Sequence, residues 1–244
     1  MAERTFKLNK AYWDCGNLYY RCNHTLSSGL TVLVGCNGTG KSTMMSQIKA
    51  ILRKNNESYF AFDNTCDGGS NMYYELLERF YNGGINTLAS LMTSSEGEKI
   101  QQNVIVKMRD QLNEKVSRAI KSGKGDLFIL FDAVDSGASI DNIIEMKNFF
   151  RTVIKDQKEK NNLDVYVIVS ANSYEMANGE MCYDVSHNKY ITFKNYESYK
   201  KFILKSREFK ERRLKKFEEK ISKRGEDRQD EPNLCSNIRR TKKW

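Results

Sequence analysis

The sequence holds a single proline, two histidines and six cysteines that never form a C-x-x-C pair. It has no apolar run near the ~18 residues that a membrane span needs. Each scarcity excludes something. Without an apolar span or an apolar leader core in Met1 to Lys10, the expectation is a cytoplasmic protein with no membrane attachment. Cys15, Cys22, Cys36, Cys66, Cys182 and Cys235, with only His24 and His187 to help, lack zinc-site spacing. A disulfide framework does not suit a chain of this length, so the cysteines read as reduced thiols. The one proline, Pro232, lies in a polar C-terminal stretch, leaving the rest of the chain free of proline breaks.

What is present is a 244-residue chain, 39% hydrophobic, enough for one core with an appendage or two small domains. Its net charge of +9 is unevenly spread: Glu197 to Trp244 holds 17 Lys and Arg against 9 Asp and Glu. Attraction to an acidic partner or to nucleic acid therefore maps to the tail.

Periodicity divides the chain into alternating elements. Phe6 to Thr25 reads as one or two short strands, and Leu30 to Val34 as a buried strand running into glycines. Thr43 to Lys54 has helical spacing, with Met44, Ile48 and Ile51/Leu52 on one face. Ser58 to Phe62 is a further strand, and Asn71 to Tyr81 an aromatic helix ended by Gly83-Gly84. Glu98 to Lys121 is a helix whose apolar stripe is Ile100, Val104, Met108, Leu112, Val116 and Ile120. Leu127 to Asp132, Leu163 to Val169 and Tyr190 to Phe193 read as strands, Asp141 to Glu159 as a helix. Tyr196 to Lys223 is one long basic helix with Phe202, Phe209, Leu214, Phe217 and Ile221 among its Lys and Arg; Gly225 to Trp244 is expected to be disordered. Strands alternating with helices indicate an α/β fold with a mostly parallel sheet.

The chemistry-bearing motif is Gly35-Cys36-Asn37-Gly38-Thr39-Gly40-Lys41-Ser42-Thr43, a G-x-x-x-x-G-K-[ST] P-loop with a strand before it and a helix after it. Glycines let successive N–H groups face one concavity, and the helix N-terminus adds partial positive charge. Lys41 then reaches β- and γ-phosphates while Ser42 ligates Mg²⁺. Asp132, ending the apolar strand, is the second Mg²⁺ partner, at the sheet edge where ligands bind in such folds. The expected cofactors are ATP and Mg²⁺.

The form G-x-N-G-[ST]-G-K-S-T resembles that of ABC-type ATPases, and within them the SMC/RecF branch and small stand-alone bacterial and phage ATPases. Ser95-Glu96-Gly97-Glu98 is similar to their signature loop, Asp132 through Ser139 to their Walker B and D-loop region, and Val167 through Ser173 to their switch strand and loop. Together these cover about Phe6 to Phe193. The resemblance implies an ABC-ATPase-like P-loop NTPase at residues 1–195. It would have an N-terminal antiparallel β part and a reduced helical subdomain at about 64–122. The basic helix (196–224) and a flexible tail (225–244) would follow. It also implies ATP sandwiched in a head-to-tail homodimer, with Ser95 and Gly97 contacting phosphate in trans. As a plain sequence pattern, Ser95 with Glu98 is equally a helix cap. Only 54 positions separate Lys41 from Ser95, too few for a long coiled coil.

The departures from that pattern point to slow hydrolysis. The glutamate that follows the Walker B aspartate is Ala133 here, the switch histidine is Asn172, and Asp135 is the nearest replacement carboxylate. Lys41, Asp132, Asp135 and Asn172 are thus the candidate catalytic set. Asp63 or Asn64 stands either near Mg²⁺ or in a plain turn, and Tyr12 or Trp13 either stacks on adenine or packs in the core. The expected function is a slow ATPase whose dimerisation acts as a switch in DNA-related or phage processes, while the basic tail helix either packs one stripe on the domain or holds nucleic acid. The alternatives are a P-loop kinase and a non-hydrolysing ATP-bound scaffold.

Overall fold

The computed structural model describes residues 2–9, 19–64 and 96–229, with backbone alone at 96, 97, 99, 100, 102, 103 and 220–229. The expectations for Tyr12, Trp13, Ser95 and the helix at 71–81 lie outside the described residues. In chain order the strands are β1 (Glu3–Lys7), β2 (Asn23–Ser27), β3 (Gly29–Val34), β4 (Tyr59–Asp63), β5 (Asp126–Asp132), β6 (Asp164–Ser170), β7 (Met181–Asp184) and β8 (Lys189–Ile191). The helices are α1 (Lys41–Lys54), α2 (Glu96–Lys121), α3 (Ile140–Asn161), the short α4 (Tyr174–Ala177) and α5 (Tyr196–Gln229).

A six-stranded sheet has the order β4-β5-β6-β3-β7-β8, parallel throughout except for the β7–β8 pair. Its five parallel strands end on one edge, and that edge carries Asp63, Asp132, Ser170, Asp184 and the turn that follows Val34. β1 and β2 pair antiparallel in a separate sheet, Phe6 opposite His24.

Both faces of the large sheet are covered, and strand alternation sorts the residues between them. On β5, Leu127, Ile129 and Phe131 join Ile143, Met146 and Phe150 of α3 and Val104 and Met108 of α2. Phe128 and Leu130 point to the other side, onto Met44 and Ile48 of α1 and Phe6 and Leu26 of the small sheet. The Phe131 ring stacks on Phe150 at 4.5 Å between centroids. Each fully buried side chain of this size contributes roughly 1.5–3 kcal/mol.

Three local expectations differ from the structure. Ile120 is exposed and Ala119 takes its inward place, because each step of four residues overshoots a full turn by about 40°, and a strict four-residue stripe leaves the inward face over so long a helix. The strand β7, only four residues long, carries no periodicity of its own and is formed by pairing with β3 and β8. The C-terminal helix does not stop near Lys223 but continues to Gln229.

Candidate functional site

Strand β3 is apolar and buried to Val34, and the chain then turns on three glycines with positive φ: Gly35 (151°), Gly38 (80°) and Gly40 (97°). At Gly35 space also matters, since a Cβ there would stand 2.6 Å from Thr39 Oγ1. The Thr39 hydroxyl donates to Cys36 O at 2.9 Å, drawing the loop into a tight curl. α1 starts directly from it, with Lys41 in its first turn and Gly40 as its left-handed cap. From outside, the Tyr19 hydroxyl holds Gly40 O at 3.0 Å.

Lys41 is 8% exposed and donates to Gly35 O at 2.7 Å and to Cys36 O at 3.5 Å. Burial pulls its pKa below lysine's ordinary value, while the charges of Cys36, Asp135 and Asp132 act in the opposite direction. Ser42 donates to Asp132 Oδ1 at 3.2 Å, joining the loop to the end of β5 across the intervening strand β6. That strand contributes Ser170, whose hydroxyl donates to the same Asp132 oxygen and accepts from Ala133 N at 2.9 Å. Ser170 was missed among the site residues. The signal for it is a lone hydroxyl closing an otherwise apolar strand.

Ala133 has φ 55°, a left-handed backbone uncommon for a residue with a Cβ. It is held there by Ser170 on its N–H and by Asn64, whose amide donates to Ala133 O at 3.2 Å and Ser136 O at 3.3 Å. Asn64 thus braces the turn after β5, and Asp63 sits in register with Asp132. Asp135 is buried, and its Oδ2 accepts from the N–H groups of Asn172 (2.7 Å) and Ser173 (2.6 Å). Its Oδ1 is buried without a hydrogen-bond partner among the described residues. The Asn172 side chain is exposed, and its carbonyl accepts from the Tyr199 hydroxyl at 2.9 Å.

The fold therefore gathers Gly35, Asn37, Gly38, Thr39, Gly40, Lys41, Ser42, Thr43, Asp132, Asp135 and Asn172 at one end of the sheet. Gly97 lies in the first turn of α2. Two surface depressions, one at Ser28, Arg151 and Glu180 and one at Ser46, Arg53 and Tyr59, include none of these residues. Among the described residues no three His, Cys, Asp or Glu side chains form a metal cluster, and no helix is long and apolar enough to cross a membrane.

No curated protein matches the chain. The family model described as Nephrocystin 3, N-terminal matches residues 18–171, which takes in the glycine-rich loop at 35–43, β5 and β6. This is a different family from the SMC/RecF branch that the loop sequence resembles. A short loop shared by many ATPases says less about descent than a match across most of the sheet. By that match, the chain belongs to the nephrocystin 3 N-terminal family.

Proposed function

We propose that the chain binds ATP with Mg²⁺ at residues 35–43 and hydrolyses it slowly. The observation that carries this reading is the Ser42–Asp132 contact at 3.2 Å, beside a glycine-built loop that opens a helix. A hydroxyl and a carboxylate fit Mg²⁺, which takes one or two protein oxygens and completes its shell from phosphates and water. Bound there, the cation supplies charge neutralisation to the phosphates. Lys41 offers an ammonium group, and the N–H groups at the start of α1 offer donors without intrahelical partners.

Slow turnover follows from the two carboxylates after β5. Asp132 is engaged by two hydroxyls, and Asp135 spends one oxygen on two backbone N–H groups. Ala133 accepts no proton, so no unengaged carboxylate immediately follows Asp132 to polarise water. The expected rate lies well below the ~1–10 s⁻¹ of ordinary enzymes. Phosphate release at that ordinary rate, surviving Asp135→Ala, would contradict the proposal.

The proposal includes ATP-dependent pairing of two copies, which rests on Ser95, Gly97 and the start of α2. Light scattering with and without ATP·Mg²⁺ checks it: a doubled mass only with nucleotide is expected, and a constant monomer opposes it. It also includes nucleic-acid contact through α5, where Lys205, Arg212, Lys215 and Lys216 are exposed. Such binding weakens steeply as salt rises. Binding indifferent to salt, or to Lys215→Glu with Lys216→Glu, would remove it.

A further inference from the structure

α5 does more than close the fold. Its inward face begins in the core with Tyr199, whose ring meets Phe193 at 5.1 Å, and Phe202, 5.3 Å from the same ring. One helical turn on, the same face leaves the core and reaches the phosphate loop. Ser206 is 5% exposed, and its hydroxyl accepts from Cys36 N at 3.1 Å. After another turn, Lys210 Nζ donates to Asn37 O at 2.8 Å. It lies so near Gly38 that a Cβ there would be 2.9 Å from Nζ. Phe209 fixes this turn from the side by packing on His187 at 4.8 Å, and His187 is paired with Asp184 at 2.7 Å.

Two ammonium groups therefore converge on one short loop, Lys41 on the Gly35 and Cys36 carbonyls and Lys210 on the Asn37 carbonyl. Lys41 has Asp132 and Asp135 nearby to offset its charge. Among the described residues Lys210 has no carboxylate within 4.0 Å, although α5 carries Glu208 and Glu211 on either side of it. A neutral carbonyl is a weaker partner for an ammonium than an anionic phosphate oxygen. Lysine's flexible stem and three donors let it take up an anion without releasing the loop.

We propose that Lys210 is a second phosphate-binding cation of the nucleotide site, delivered from the C-terminal helix, with Ser206 holding that helix in register on the loop. The inference rests on the loop being the triphosphate site. It makes the helix part of the site, so nucleotide binding is felt along α5.

The test is calorimetric titration of the full chain with ATP·Mg²⁺, alongside a melting curve for each variant. Lys210→Ala is expected to weaken binding about tenfold, the scale of one hydrogen bond to a charged group. Lys210→Arg should stay within about threefold of the wild type, since it keeps the charge and the reach. Lys201→Ala, exposed on the same helix, should bind as the wild type does. The dependence of affinity on salt should also be shallower in Lys210→Ala. Lys210→Gln, which keeps most of the stem, serves if the alanine variant melts early. Lys210→Ala binding as tightly as wild type or more tightly, while Lys41→Ala loses binding, overturns the role of Lys210 and leaves the loop reading standing. An equal loss in Lys201→Ala overturns it too, by showing a diffuse field. A flat titration for the wild-type chain itself overturns the loop reading, and Lys210 falls with it.

Discussion

At the scale of single residues, the loop is held by steric limits that a single methyl group would break. Gly35 combines φ 151° with a Cβ position 2.6 Å from Thr39 Oγ1, an atom fixed by its own bond to Cys36 O. Gly35→Ala should cost roughly 1–3 kcal/mol of stability and abolish the curl on which the proposed phosphate binding depends. Denaturant midpoints and ATP titration of the variant check both. Gly38 is different, because its near neighbour is the flexible end of Lys210, and its constraint is the φ of 80°.

His24 is a structural residue with a measurable signature. It is fully buried beside Tyr183, whose hydroxyl meets Nδ1 at 3.1 Å, and burial lowers its pKa from 6.5 to about 4. The unfolded chain therefore binds the proton more tightly than the folded one between those values. Its contribution is whole above pH 6.5 and is lost as pH falls toward 4, on the order of 3 kcal/mol in all. His24→Gln should flatten the drop in unfolding midpoint between pH 7 and pH 4.5. An unchanged drop would assign the acid sensitivity to other groups.

At the scale of elements, the informative link runs from β5 to the loop after β6. Asp135 pins the N–H groups of Asn172 and Ser173, and Tyr199 of α5 pins Asn172 O. Asp135→Ala leaves the N–H groups of Asn172 and Ser173, both in part-buried hydrogen bonds, without their acceptor, a loss of about 1 kcal/mol. Hydrogen exchange at Asn172 and Ser173 should accelerate while the centre of β5 keeps its protection. Uniform acceleration through the sheet would mean that Asp135 supports the whole fold instead.

The elements themselves were largely legible in the sequence. The runs Leu30 to Val34, Leu127 to Asp132 and Leu163 to Val169 announce buried parallel strands, and the observed bounds differ by a residue or so. β7 was not legible, because four residues near the flank of a sheet are strand only through their neighbours. The loop residues and Asp132 could be found from spacing alone. Ser170, Ser206 and Lys210 could not, since they come to the loop from 129, 165 and 169 positions beyond Lys41. Only the docking of β6 and α5 brings them there.

At the scale of the whole molecule, the sheet brings one glycine-rich loop, one carboxylate strand and one basic helix to a single edge. α5 is part of the packed body through Tyr199, Phe202 and Ser206, and exposed basic side chains, Lys201 and Lys205 among them, stand between these residues and beyond them on the same helix. The basic side chains of α5 as far as Lys216 are therefore physically joined to the site. The family match spans the loop and the strands on which it depends, from residue 18 to 171, and ends before α5.

The most direct test of the account is equilibrium binding of ATP·Mg²⁺ to the wild-type chain and to Lys41→Ala, at one salt concentration and with both proteins shown to be folded. The account predicts saturable one-to-one binding by the wild type and at least a hundredfold loss in the variant, about 2.7 kcal/mol. Equal affinity in the two proteins, or no binding by the folded wild type, would contradict it.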